Sequence, residues 1–157
     1  MLNLKSLFSA LCLSFFISSA LAAGNHIVLK QKKAKFEDIK QNITEALTGR
    51  GLVVNNTSHI GEMLGRTGKD LGGAKQIYLK AEAIEFCSAT VSRATMEADP
   101  TNIIFCPYII AVYVLPKEPG TVYTAYRKPS LVGSKASKES LRGVEKLLGE
   151  IVTEALQ

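Results

Sequence analysis

Apolar residues recur along this chain with two periods, and the switches between them mark out its elements. From Phe36 onward Phe36, Ile39, Ile43, Ala46 and Leu47 keep helical spacing and predict one buried stripe, which Gly49 and Gly51 end. Extended segments are expected on either side: 26–31, with Ile27 and Leu29 on one face, and 52–57. The glycine-rich stretch 58–73 reads as a short helix or loop. Residues 76–87 alternate Ile77, Leu79, Ala81 and Ala83 with Tyr78, Lys80 and Glu82, the period of a strand with one buried face. Ser88 then caps a helix over 89–98, which Asp99-Pro100 stops.

The most apolar run after the amino-terminal segment, 103–115, is rich in β-branched and aromatic residues and predicts a central strand. A turn at 116–120 returns it as a hairpin to a strand over 121–127. After a polar loop at 128–136, Ser137 is expected to cap a last helix. In it Leu141, Val144, Leu147, Leu148, Ile151, Val152 and Ala155 hold helical register. The order β-α-β-(α)-β-α-β-β-α predicts an α+β fold: a single compact domain with a mixed sheet of about five strands packed by helices. No internal repeat, low-complexity tract or linker divides it.

The first residues follow a different logic. Lys5 precedes an apolar run from Leu7 to Leu21, and the run ends in small residues at Ala20 and Ala22, the three-part layout of a secretory signal. Ser9, Ser14, Ser18 and Ser19 keep this run short of the roughly 20 strongly apolar residues of a membrane span. The expectation is a cleavable signal peptide at 1–22 and a domain at 23–157 that is periplasmic or secreted, with no membrane partner after cleavage. Cys12 lies inside the apolar core behind Leu11, where a lipid-attachment site would need a small residue, so it is read as discarded with the signal.

Loss of Lys5 takes the formal charge from +5 to +4. The remaining excess gathers in a basic knot at Lys30, Lys32, Lys33 and Lys35. Lysines along one strand edge solvate it and discourage edge pairing. No aromatic side chains interleave with them to stack bases, so nucleic acid is set aside as a partner.

Two cysteines remain in the domain, Cys87 and Cys106. In an oxidising compartment they can form a structural disulfide or stay as buried apolar thiols. Position gives a functional alternative: Cys87 ends a strand just before a helix, where amide N–H groups and the helix dipole stabilise a thiolate. Such a thiolate can bind sulfane sulfur, exchange disulfides or hold a soft metal. The spacing is not Cys-x-x-Cys, which excludes a thioredoxin-type motif.

His59 stands one helical turn before Met63, and with a cysteine these are conceivable ligands for copper or haem iron. No second histidine stands at ligand spacing, so no metal or other cofactor is expected. A Cys87–His59 pair is the one nucleophile–base arrangement the chain offers. Cleavage after Ala23 would place His26 third and create an amino-terminal copper or nickel site, whereas cleavage after Ala22 would not. Gly61 to Lys69 has the flavour of a phosphate loop, but Asp70 occupies the place of the magnesium-binding Ser or Thr. The Asn-x-Thr/Ser tripeptides at Asn42, Asn55 and Asn56 matter only in a eukaryotic secretory path. No Gly-x-Ser-x-Gly elbow is present, and the reading leans away from an enzyme.

One group of motifs carries a resemblance. Ile84-Glu85-Phe86-Cys87, Glu97-Ala98-Asp99-Pro100, Phe105-Cys106-Pro107-Tyr108 leading into Ile110-Ala111-Val112-Tyr113, and Lys128-Pro129 together resemble domain-of-unknown-function family 302. Gly51-Leu52-Val53-Val54 after the first helix also matches that family. The resemblance implies a compact α+β fold that often forms homodimers and has no established enzymatic activity. Members in sulfur-metabolising bacteria associate part of the family with sulfur compounds. Cys87 falls on the family's first cysteine. The second departs from the pattern: the family order is proline then cysteine, whereas here Cys106 precedes Pro107 and Tyr108 takes the cysteine's place. Alternate residues of a strand share a face, so this moves the thiol along the face.

The function these residues favour is a non-enzymatic, homodimeric, exported binding module. Its ligand, a small sulfur compound or similar molecule, would meet Cys87, Cys106, Tyr108 and His59. The alternatives are a thiol-dependent redox protein using Cys87, and a structural protein with inert cysteines.

Overall fold

The computed structural model describes residues 26–73 and 75–157. The signal peptide read at 1–22, its cleavage site, Cys12, and the residues that would precede His26 in an amino-terminal metal motif lie outside the described residues. Five strands form one sheet: β1 (Ile27–Lys33), β2 (Val53–Ser58), β3 (Lys80–Cys87), β4 (Tyr108–Val114) and β5 (Thr121–Arg127), in the order β1-β5-β4-β3-β2. The α-helices are α1 (Phe36–Thr48), α2 (Ile60–Asp70), α3 (Ala89–Ala98) and α4 (Lys135–Ala155), and a 3-10 helix spans Pro100–Phe105. None of these helices is long and apolar enough to cross a membrane.

The α+β class and the five strands agree with the sequence reading. Strand direction differs from the mixed sheet expected there, because every neighbouring pair is antiparallel. The connections explain it. Helix α3 packs chiefly on α4 and the 3-10 helix, so the chain re-enters the sheet at the end where β3 left it. Helix α1 carries the chain from one sheet edge, β1, to the other, β2.

Helices α1 and α4 cover one face. Phe36, Ile39, Ile43 and Leu47 of α1 meet Val144, Leu148, Ile151 and Val152 of α4 over Ile84, Phe86, Ile110, Val112 and Val122 of the sheet. Full burial of each such side chain stabilises the fold by about 1.5–3 kcal/mol, and it fixes strand register, since a one-residue slip would turn every apolar side chain outward. On the other face Ile27, Leu29 and Ile109 are exposed, while Tyr113 and Tyr123 stack at 5.2 Å with Tyr78 set edge-on to Tyr113. Strand β1 is a sheet edge, as the basic knot implied, and Lys30 extends to donate to Thr153 Oγ1 on α4 at 2.7 Å.

Three sequence expectations need correction. Strand β3 begins at Lys80, not at residue 76, and its core-facing residues are Ile84 and Phe86. Ile77 and Leu79 are exposed, because pairing with β4 begins only at Lys80↔Val114. The apolar run 103–115 is not one strand, since its first part closes the 3-10 helix and β4 starts at Tyr108. Local polar chemistry outweighs β propensity there: Asp99 Oδ1 accepts from the Thr101 amide at 2.9 Å, and Pro100 fills the first helical turn. Finally, Ser134 rather than Ser137 caps α4, accepting from the Ser137 amide at 3.1 Å.

Candidate functional site: a half-buried dithiol

Cys87 is the last residue of β3 and Ser88 the first cap of α3, so strand and helix meet without a loop. Ser88 keeps an extended backbone and its Oγ accepts from the Val91 amide at 3.3 Å, which turns the chain directly into α3. Cys106 arrives from the other side, at the end of the 3-10 helix. Its amide donates to the Ile103 carbonyl at 3.1 Å, and its peptide bond to Pro107 is cis. Both cysteines are free and half-buried, and their Sγ atoms stand 3.0 Å apart.

A polar stripe on α3 supports this pair. Ser88, Ser92 and Thr95 recur at helical spacing and all three are buried. The Ser92 hydroxyl lies 3.7 Å from Cys106 Sγ and 3.2 Å from the Tyr108 hydroxyl. Thr95 turns back onto the helix, donating to the Ser92 carbonyl at 2.8 Å. Tyr108 is buried with its ring edge-on to Phe86 at 5.7 Å. Cys106 and Tyr108 thus converge on one hydroxyl, but not as alternate residues on one strand face, since Cys106 ends the 3-10 helix and β4 begins only at Tyr108.

The electrostatics of Cys87 overturn one expectation. Its helix-start position was expected to favour a thiolate, yet burial, followed by the hydrogen bond and charge of Cys106, pushes the thiol up to about 11; the Tyr108 backbone amide acts in the opposite direction. Cys87 therefore keeps its proton at neutral pH. Cys106 Sγ has two groups able to donate to it, the Cys87 thiol and the Ser92 hydroxyl. Cys106 is therefore the sulfur with a polar hydrogen-bonding neighbour on two sides. Burial likewise pushes the Tyr108 phenol upward, so it stays a neutral partner for Ser92.

His59 is not part of this cluster. It caps α2 with its side chain 53% exposed, and its Nδ1 lies 3.4 Å from Glu82 Oε1. Glu82 precedes Cys87 by five residues along β3, about 17 Å at the rise of an extended strand. The Cys87–His59 pair is therefore not formed. His59 instead borders a hollow of about 290 Å³ with Glu37, Glu62, Lys80 and Glu82. There Lys40 Nζ lies 2.8 Å from Glu82 Oε2, an ion pair whose approach is not along a hydrogen-bonding direction. A more open hollow of about 560 Å³ lies between Lys30, Arg50, Lys146 and Glu154. Neither hollow is lined by Cys87, Cys106 or Tyr108. Among the described residues no group of three or more His, Cys, Asp or Glu side chains is gathered to hold a metal ion.

Ser92 is the site residue that the sequence reading missed. Its signal is the spacing Ser88, Ser92, Thr95, which puts a polar stripe where a helix of a small domain ordinarily presents apolar residues.

The arrangement now has a relative to be measured against. The model of the domain of unknown function DUF302 matches residues 27–156, which takes in both cysteines, Ser92 and Tyr108. The chain belongs to the DUF302 family. The crystal structure of an uncharacterized conserved DUF302 protein from Bacillus stearothermophilus is similar in fold, with a TM-score of 0.68 at 20% identity over 84% of this chain and 98% of that one. No curated protein matches the chain. DUF302 membership fixes the fold, and the chemistry has to be argued from the dithiol itself.

Proposed function

We propose that this DUF302 domain is an exported thiol–disulfide module, which forms a reversible covalent bond with a sulfur compound through Cys106 and Cys87. The 3.0 Å approach of the two sulfurs carries the reading. A pair so close can close to a disulfide by small side-chain movement, and the two hollows described above lie elsewhere. This favours covalent capture over a binding pocket around Cys87. The leader read at 1–22 would deliver the pair to an oxidising compartment.

The chemistry balances within the pair and its partner disulfide. Cys106 thiolate attacks one sulfur of RS–SR, forming a mixed disulfide and expelling RS⁻. That leaving thiolate takes the proton held by Cys87. Cys87 thiolate then attacks Cys106 Sγ, forming the Cys87–Cys106 bond and releasing the second RS⁻, which is protonated by water. Two electrons pass from the protein dithiol to the disulfide. A thiol running the steps backward restores the reduced pair.

Equilibration in glutathione redox buffers, read by intact mass, tests this. The expected result is a reversible loss of two hydrogens, with a potential above about −270 mV, the range of exchanging rather than structural disulfides. A bond that stays oxidised below about −300 mV would make the pair a structural staple. Failure to form the bond at all would remove the dithiol as a functional centre.

A further inference from the structure

The net charge of this domain is gathered on one sheet edge. Loss of Lys5 takes the formal charge from +5 to +4, and Lys30, Lys32, Lys33 and Lys35 equal all of that excess, so the remaining charges balance. Lys32, Lys33 and Lys35 join no ion pair among the described residues, while Lys30 reaches Thr153. Neighbouring elements do little to neutralise them. Strand β5 has no carboxylate and sets Arg127 opposite Ile27. In the first turn of α1 Glu37 is taken by Lys80, which leaves Asp38, and Glu118 in the turn before β5 accepts from the Tyr123 hydroxyl. The strand is also apolar on one side: Ile27 and Leu29 are 58% and 55% exposed on the face away from α1 and α4. Its backbone is open as well. The Ala34 amide donates to the Gly120 carbonyl and the Lys128 amide to the His26 carbonyl, so the even-numbered residues of β1 bond β5, and Ile27, Leu29, Gln31 and Lys33 turn their amides to the free edge.

We propose that the β1 edge docks on the surface of an anionic lipid bilayer. Charge, backbone and apolar side chains each answer one layer of that surface. A lysine near an anionic leaflet strengthens partition by about fivefold, and its apolar stem suits the boundary between water and lipid. The free amides of the edge can donate to phosphodiester oxygens. Ile27 and Leu29 enter the boundary between headgroups and acyl chains, as the apolar side of an interfacial element does. Other occupants answer only part of this. A second copy pairing along β1 would set lysine against lysine. An acidic polypeptide added as a strand would meet the lysines and amides, yet leave Ile27 and Leu29 in water. The contact is peripheral, since none of the described helices is long and apolar enough to span a membrane. Loss of the leader was expected to end membrane contact, and this edge would restore one. The proposal does not depend on the dithiol reading.

The test is sedimentation of the chain from Ala23, which contains every described element, with vesicles of phosphatidylcholine alone or mixed equally with phosphatidylglycerol. At about 0.1 M salt, where the Debye length is about 10 Å, the mixed vesicles should bind at least tenfold more tightly, and about 1 M salt should abolish the difference. Lys32→Glu with Lys33→Glu should weaken that binding at least tenfold, and Ile27→Ser with Leu29→Ser at least threefold. Should the glutamates unfold the domain, Lys32→Gln with Lys33→Gln should act in the same direction by a smaller factor. Lys135→Glu with Lys138→Glu makes the same change of net charge at the start of α4. Lys138 lies about 22 Å along that helix from Thr153, where Lys30 is held, so this variant should bind within twofold of wild type. Equal binding to both vesicles, or an equal loss in the α4 variant, overturns the proposal. So does wild-type binding by the Ile27, Leu29 variant, since the edge would then read charge alone. Poly-glutamate bound more tightly than the mixed vesicles would also overturn it and assign the edge to an acidic polypeptide.

Discussion

The Ser92 hydroxyl stands 3.2 Å from the Tyr108 hydroxyl and 3.7 Å from Cys106 Sγ, so one residue of α3 links a buried ring to the dithiol. Ser92→Ala should act twice. It removes one hydrogen-bond partner of the buried Tyr108 hydroxyl and leaves Thr95 as the other, at a cost of about 1 kcal/mol seen in urea unfolding. It also removes the hydroxyl beside Cys106 Sγ, so disulfide closure by glutathione should slow. Ser92→Thr should restore most of that rate. A closure rate indifferent to Ser92 would confine the residue to packing.

Closing the dithiol should stabilise the fold. Cys87 and Cys106 are 19 positions apart, and a loop near that length gives about 3 kcal/mol through restriction of the unfolded chain. Oxidised protein should therefore unfold at a higher urea concentration than reduced protein. The Cys87→Ala, Cys106→Ala double variant should show no response to oxidant.

The raised Cys87 thiol makes the reduced state sensitive to alkali. Its value rises from 9.0 unfolded to about 11 folded. The neutral thiol is favoured by folding, so this contribution is fully present below pH 9 and is lost as pH climbs through about 11. The melting temperature of reduced wild type should fall more steeply between pH 9 and 11 than that of Cys87→Ser. Parallel curves would show that the thiol is not perturbed.

Asn102 pins the 3-10 helix to α3 and α4 through Thr95 and Ser137. Asn102→Ala should cost about 1–3 kcal/mol. By loosening the segment that carries Cys106 it should also slow disulfide closure by air or glutathione. Loss of stability with an unchanged closure rate would mean that Cys106 is positioned by β4 alone.

Gly61 is where α2 comes closest to the sheet: a Cβ there would lie 2.8 Å from the Ala81 backbone nitrogen. The obstacle is backbone, which cannot rotate away. Gly61→Ala should destabilise by about 1–3 kcal/mol, read by urea unfolding, and leave the Cys87–Cys106 closure rate unchanged because α2 lies remote from the pair. Altered closure would show that α2 and the dithiol are coupled.

The periodic parts of this fold were legible in the sequence. The stripes Phe36–Ile39–Ile43–Leu47 and Leu141–Val144–Leu148–Ile151 specify α1 and α4, because a helix that buries one face must repeat its apolar residues at that spacing. Family membership was legible too, through the motifs around Cys87 and Cys106. The segment 103–108 misled for a definable reason: hydrophobicity normally means burial, but here a buried Asn102 and the Asp99 cap set the backbone, and the isoleucines go where that backbone points.

The sequence by itself determined two thiols, the helix start beside one of them, and an α+β domain to carry them. It paired Cys87 with neither Cys106 nor His59 in particular, since contacts between distant residues depend on strand order and register, which local periodicity does not encode. Tertiary structure decided both. Phe86↔Tyr108 pairing brings the end of β3 to the start of β4 and sets the sulfurs 3.0 Å apart, while the length of β3 carries His59 away. The same packing, by burying Cys87 against a second thiol, raised the thiol that its helix-start position was expected to lower.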